Sequence, residues 1–127
     1  MGKDAHKGIT RLIAAFHNSI AGFKDIWRRE EAFRQELVML VLSVPIALWL
    51  GQSLAHTGLL IGSILLLIIV EIVNSAIEAV VDRIGAERHE LSRIAKDLGS
   101  LAVLTTALIP ITVWGVSLLF AAGLIAA

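Results

Sequence analysis

Three long apolar segments dominate the pattern of hydrophobic and polar positions along the chain. No charged residue occurs between Glu36 and Glu71, and none follows Asp97. A helix that crosses a membrane needs about 20 predominantly apolar residues. The pattern therefore predicts three transmembrane helices, over residues 36–55, 59–81 and 98–119.

The segment before the first predicted span is amphipathic. Between residues 8 and 29, apolar side chains recur at helical spacing, and charged side chains fall elsewhere on the helical wheel. The apolar face consists of Ile9, Leu12, Ile13, Phe16, Ile20, Phe23 and Trp27. A helix of this kind lies in the membrane interface instead of crossing it. We therefore predict an all-α membrane protein, residues 1–127 forming a single domain, with one interfacial helix and three transmembrane helices.

Composition and charge support a membrane protein and predict its orientation in the membrane. The chain is 57% hydrophobic and 17% charged, unlike a soluble domain. A net charge of zero gives no indication of nucleic-acid binding, and the absence of cysteine excludes disulfides and thiolate metal sites. Basic residues occur only before the first span and within residues 82–97. The positive-inside rule therefore predicts that the N-terminus and the 82–97 loop are cytoplasmic and that the C-terminus is outside.

Polar residues interrupt the second predicted span on one face. They are Glu71, Asn74, Ser75, Glu78 and Asp82, whose spacing places them on one narrow stripe of a helix. A carboxylate at the centre of a membrane costs about 2.5–3.5 kcal/mol even on a lenient scale. Glu78 could reach water at the interface, whereas Glu71 lies twelve residues inside the predicted span. The stripe therefore indicates a functional site.

Two further polar clusters lie on the predicted cytoplasmic side, in residues 30–36 and 82–97. A solvated loop is the ordinary explanation of such charge runs. Several carboxylates beside basic residues also suit Mg²⁺ that bridges nucleotide phosphates. Neither G-x-x-x-x-G-K-[ST] nor G-x-G-x-x-G occurs, so the phosphate-binding loops of soluble kinases and ATPases are excluded.

The run EIVNSAIEAVVDRIG over residues 71–85 resembles the signature of the prokaryotic integral-membrane diacylglycerol kinase family. Agreement continues in EEAFRQE at 30–36, HELS at 89–92 and AKDLGS at 95–100. The resemblance covers nearly the whole chain, from Gly8 through the third span. It implies a homotrimer in the bacterial inner membrane, with composite active sites at the cytoplasmic interface. It also implies an enzyme that uses MgATP to phosphorylate diacylglycerol to phosphatidic acid.

The resemblance implies individual roles as well. Glu71 matches the general base, Glu30 and Glu78 match the carboxylates that hold metal ions, and Asn74 and Asp82 match supporting polar positions. Positions that bind ATP are matched by Arg11, Glu30, Glu78, Glu87, His89, Lys96 and Asp97. Positions that bind the lipid substrate are matched by Arg11, Phe33, Arg34, Gln35, Glu36, Trp49, Glu71, Ser100 and Trp114. The chain departs from enterobacterial members at Asn18 and Ile20, where those proteins carry aromatic residues.

Three other functions share some of these features. An undecaprenol kinase of the same family shares the core motif, although residues 33–36 resemble the diacylglycerol branch. A proton- or drug-coupled transporter would use Glu71 as a proton relay, but it leaves the charged loop without a role. A structural adaptor leaves Glu71 and Glu78 unexplained. Three helices are too few to enclose these two carboxylates, so we expect neighbouring protomers to complete the site.

Overall fold

The computed structural model describes residues 7–126, and the regular structure in that range is entirely helical. The helices are α1 (Ile9–Arg29), α2 (Glu31–Leu50), α3 (Leu54–Ile84) and α4 (Glu90–Ala121). By length and composition, α2, α3 and α4 are each able to cross a membrane. The predicted all-helical fold with three such helices is therefore confirmed. Lys3, which contributes to the charge asymmetry, and Ala127, at the C-terminus, lie outside the described residues.

Helix α1 belongs to the first of two compact units, Met1–Glu31 and Ala32–Ala127. Its apolar face is exposed, with Leu12 at 70% and Phe16 at 66% of full exposure. The rings of Phe23 and Trp27 stack with centroids 6.0 Å apart. Basic residues in the last turn complement the helix dipole. The helix itself is as predicted, and its position in the membrane interface stays a prediction from the amphipathic sequence.

A tight turn between α2 and α3 shifts two of the predicted boundaries. Helix α2 ends at Leu50 instead of residue 55, and the chain passes close to itself at Gly51. A Cβ atom on Gly51 would overlap Oγ1 of Thr57. Ser53 then caps α3, because its hydroxyl accepts a hydrogen bond from the N–H of His56 at 3.0 Å. Helix α3 therefore begins five residues before the predicted start at 59.

Most of the predicted loop over residues 82–97 is helical. Helix α3 continues to Ile84 and α4 begins at Glu90, so five residues between them form the connection. His89 caps α4, because its Nδ1 accepts a hydrogen bond from the N–H of Leu91 at 3.1 Å. The charge pattern marks where the apolar segments end, whereas the helices continue beyond them into polar sequence.

Helices α3 and α4 pack along each other in the second unit. Asp82 contacts Lys96 near one end, and His56 contacts Ser117 near the other, so the two helices are antiparallel. Helix α2 joins them near the uncharged end, where the buried side chains are Ala47, Leu50 and Leu60. This arrangement gathers the charged residues of α3 and α4 at one end of the unit.

Candidate functional site

The polar stripe of α3 begins in the interior and ends at the surface. Glu71 is 5% exposed and Asn74 is 8% exposed, whereas Ser75 and Glu78 are half-buried and Asp82 is exposed. The expectation that a single chain cannot enclose Glu71 is therefore wrong. Glu78 is only half-buried in the single chain, and its completion by a neighbouring protomer stays a prediction.

Buried polar atoms without hydrogen-bond partners lie on this stripe and next to it. Glu36, near the start of α2, lies within electrostatic range of Glu71. Three buried side-chain atoms have no hydrogen-bond partner within residues 7–126, and they are Glu36 Oε2, Asn74 Oδ1 and Ser75 Oγ. Buried polar groups in native proteins nearly always have a protein or water partner. Their concentration here indicates a region that suits a polar ligand.

Ion pairs order the charged end of α3 and α4. Lys96 Nζ donates a hydrogen bond to Asp82 Oδ1 at 2.8 Å. Arg93 Nη1 donates to Asp97 Oδ2 at 2.7 Å, and the same guanidinium binds Glu90. Exposed pairs of this kind add little to stability, so their main effect is to orient the side chains. The prediction missed Arg93, although its spacing from Asp97 on a helix would have pointed to it.

A cavity of about 630 Å³ lies at this charged end. The end of α3, the connection and the first turns of α4 line it. The predicted site residues that line it are Asp82, Glu87, His89, Lys96 and Asp97. Its volume falls in the range of small-molecule sites. The structure thus brings four of the seven predicted ATP-binding residues to one cavity, together with one predicted supporting residue.

A second cavity, of about 700 Å³, lies between α2, α3 and α4 and is lined almost wholly by apolar side chains. Two predicted lipid-binding residues, Gln35 and Trp114, line it. The indole N–H of Trp114 donates to the carbonyl oxygen of Leu60 at 3.0 Å, which fixes the ring. Trp49 lies outside both cavities and is 78% exposed on α2.

The remaining predicted residues lie on several elements. Arg11 is exposed on α1 and Glu30 caps the end of that helix, both within the first unit. Phe33 is buried and Arg34 is half-buried in the first turn of α2, and Ser100 is exposed on α4. Glu30 belongs to the first unit and Glu78 to the second, and their role as metal ligands stays a prediction.

A metal ion has only a partial set of ligands in this arrangement. Within the described part of the chain, no three His, Asp or Glu side chains converge on one point. Mg²⁺ is usually held by one or two carboxylates, with substrate phosphates and water completing the shell. Glu78 fits this mode, because Asn74 Nδ2 donates to its Oε1 at 3.3 Å and restrains it.

Comparison with known proteins places the chain in a family. Residues 17–118 match the model of prokaryotic diacylglycerol kinase. The diacylglycerol kinase of Escherichia coli (strain K12) is 52% identical over 107 residues, covering 84% of this chain and 88% of that protein. The Haemophilus influenzae diacylglycerol kinase is 43% identical over 113 residues, covering 89% of this chain and 96% of that protein. A match of this extent favours an enzyme over a transporter or an adaptor. The chain belongs to the prokaryotic diacylglycerol kinase family.

Proposed function

We propose that this protein is a lipid kinase that transfers the γ-phosphoryl group of ATP to the hydroxyl of diacylglycerol, giving phosphatidic acid and ADP. One observation carries the proposal. One cavity is lined by five ionisable residues that occupy site positions of the kinase family, and they are Asp82, Glu87, His89, Lys96 and Asp97. The polar stripe of α3 leads from that cavity to the buried Glu71. The names of the related proteins support diacylglycerol as the acceptor.

Glu71 is the proposed general base. Its carboxylate accepts the proton of the lipid hydroxyl while that oxygen forms a bond to the γ-phosphorus atom. The bond between the γ-phosphorus and the β,γ-bridging oxygen breaks, and ADP leaves with that electron pair. Burial of Glu71 separates its carboxylate from bulk water, which would otherwise compete with the lipid hydroxyl. Lys96, at the charged cavity, balances the charge of the phosphates.

Mg²⁺ is the proposed cofactor, with Glu78 and Glu30 as its protein ligands. When it is bound with ATP, the ion neutralises phosphate charge during transfer. Asn74 restrains Glu78 through their hydrogen bond. Arg11 and the residues of the charged cavity are the proposed contacts to the nucleotide.

The lipid is proposed to approach from the membrane side. The apolar cavity lined by Gln35 and Trp114 offers a surface for an acyl chain. Helix α1 lies in the interface, where its exposed apolar face contacts lipid. Phe33, Arg34, Glu36 and Ser100 are the other proposed contacts near the lipid headgroup, and Trp49 is exposed to the acyl region.

The proposed assembly is a homotrimer in the bacterial inner membrane, with the N-terminus and the charged end of α3 and α4 in the cytoplasm. The partial burial of Glu78 supports completion of the site by a second copy. Gly58 and Gly62 also support the proposed assembly, because a Cβ on either would meet no described atom within 4 Å, which leaves that surface of α3 open to a helix of another copy. Glycines spaced in this way permit close helix approach. Reporter fusions that place Arg88 outside the cytoplasm would overturn this orientation.

The alternative acceptor is undecaprenol, since a polyprenyl alcohol kinase would use the same chemistry. The deciding experiment measures ADP formation by the purified protein in detergent, with each lipid at the same mole fraction. We expect faster turnover with diacylglycerol. Faster turnover with undecaprenol would establish the alternative, and no lipid-dependent turnover with either would overturn the proposed function.

A further inference from the structure

Gly99 on α4 and Asn74 on α3 meet at an unusually close contact. Both residues are buried. A Cβ atom on Gly99 would overlap Oδ1 of Asn74 and would lie 3.2 Å from its Cγ. The side-chain amide of Asn74 therefore occupies the space that any other residue at position 99 would fill.

The chemistry of Glu78 determines which way this amide faces. Glu78 Oε1 is a carboxylate oxygen and accepts hydrogen bonds, so the Asn74 atom that faces it at 3.3 Å is the nitrogen. Oδ1 must then face α4, where it is buried without a conventional donor in the described chain. The hydrogen atom that Gly99 carries in the Cβ direction points toward Oδ1, as in a weak Cα–H···O contact.

We propose that Gly99 is a positioning residue for the metal ligand Glu78 and that it acts through Asn74. Glycine at 99 lets the amide of Asn74 lie against α4 with its N–H donors directed at Glu78. A methyl group at that position displaces the amide and releases the carboxylate. This inference rests on the proposed role of Glu78 in holding Mg²⁺ with ATP.

Apart from the contact with Asn74, replacing Gly99 with alanine should favour the helix. Glycine inside a helix is less favourable than alanine because of the backbone freedom that it loses on folding. Gly115 provides the matched control, since it lies in the same helix and a Cβ there would meet no described atom within 4 Å. Gly99→Ala and Gly115→Ala therefore change helix propensity alike, and only the first disturbs Asn74.

The test measures Mn²⁺ binding by electron paramagnetic resonance, in the presence of a non-hydrolysable ATP analogue, alongside turnover at increasing Mg²⁺. Groups that orient metal ligands typically contribute 10- to 100-fold to metal affinity or activity. We expect Gly99→Ala to weaken Mn²⁺ binding by about that factor and to raise the Mg²⁺ concentration for half-maximal turnover. Gly115→Ala should match the natural sequence in both measurements. Normal Mn²⁺ binding by a folded Gly99→Ala protein would overturn the inference, as would equal losses in both variants.

Asn74→Ala supplies a second test, which does not require Gly99→Ala to fold. The double variant Asn74→Ala/Gly99→Ala has no overlap at this contact. If Gly99 acts only through Asn74, the double variant should bind Mn²⁺ as tightly as Asn74→Ala does. A further loss of Mn²⁺ affinity in the double variant would contradict the inference. Failure of the proposed function has a different signature, because the natural sequence itself would then show no nucleotide-dependent Mn²⁺ binding.

Discussion

Lys96 on α4 and Asp82 on α3 form an ion pair of 2.8 Å that joins the two helices at their charged end. Both side chains are about half exposed and also line the 630 Å³ cavity. An exposed pair contributes little to the free energy of unfolding because water and salt screen it. We infer that its main role is to hold the ammonium group at the cavity, where a phosphate would bind.

Lys96→Gln should raise the KM for ATP while leaving the melting temperature nearly unchanged. A hydrogen bond to a charged group is expected to change affinity by roughly 10- to 100-fold. Asp82→Asn keeps the ammonium but weakens its restraint, so it should have a smaller effect. Lys24→Gln, an exposed substitution on α1, is the control for loss of a positive charge. An unchanged KM for Lys96→Gln would exclude Lys96 from the nucleotide site.

Glu71→Gln should nearly abolish phosphoryl transfer while ATP binding and the fold persist. Glutamine keeps the size of the side chain but cannot accept the hydroxyl proton, and loss of a general base lowers the rate by about 10²–10⁴. A structural carboxylate would behave differently, since a neutral amide in its place is often tolerated or stabilising. The measurement is turnover at saturating lipid and MgATP, with thermal melting in the same detergent. Retention of more than about a tenth of the activity, judged against that range, would rule out the assignment.

Glu78→Gln and Glu30→Gln should each lower turnover and raise the Mg²⁺ concentration needed for half-maximal activity. Each substitution removes a negative charge from the proposed metal site. Asp25→Asn on α1 removes the same charge from an exposed position and serves as the control. If either glutamate variant shows normal Mg²⁺ dependence, that glutamate is not a ligand.

Mixed oligomers test whether a site is shared between chains. Glu71→Gln and Glu30→Gln proteins are each expected to be inactive, and co-assembly should restore part of the activity if the two residues come from different protomers. Mixing must be verified by two affinity tags. Verified mixed oligomers without activity would show that each site is built within one chain.

The uncharged end of α3 and α4 should matter for stability but not for catalysis. Ser117 Oγ donates to the carbonyl of Val113 at 2.6 Å, so His56 must donate through Nε2 to Ser117, at 2.8 Å. His56 Nδ1 then accepts from the N–H of Gln52 at 3.1 Å, which defines the neutral tautomer. His56→Ala and Ser117→Ala should each reduce the free energy of unfolding by about 0.5–1.5 kcal/mol.

The double variant decides whether His56 and Ser117 are coupled. We expect its loss of stability to be smaller than the sum of the two single losses, because both remove the same hydrogen bond. Unfolding in a denaturing detergent provides the measurement, and turnover should remain normal in all three variants. Strict additivity would show that the His56–Ser117 hydrogen bond contributes nothing.

The sequence predicted the helices and the inward stripe because both follow from hydrophobic periodicity. Their spacing predicted that Glu71 and Asn74 share one helix face, and the structure buries both residues within the single chain. Helix ends were less predictable, since they depend on caps. Ser53 and His89 start α3 and α4 outside the apolar segments.

Contacts between distant parts of the chain could not be predicted by periodicity. The closeness of Gly99 and Asn74 depends on the register of α4 against α3, which residue spacing within one helix does not determine. The shared cavity of Asp82, Glu87 and Lys96 depends on the same register. The polar stripe had identified Asn74 and Asp82, whereas for Gly99, Glu87 and Lys96 the signal in the sequence was the family motif.

The length of α3 has a consequence for where the reaction occurs. Its 31 residues extend about 46 Å, whereas the hydrocarbon core of a bilayer is about 30 Å thick. With Leu54 at one boundary of that core, the other end of the helix stands roughly 16 Å above the opposite boundary. Glu71 is thirteen residues before Ile84, and thus only about 3 Å beneath that boundary. In the proposed reaction, ATP would therefore remain in water and diacylglycerol at its normal depth, because the proposed base Glu71 lies at the level where the two would meet.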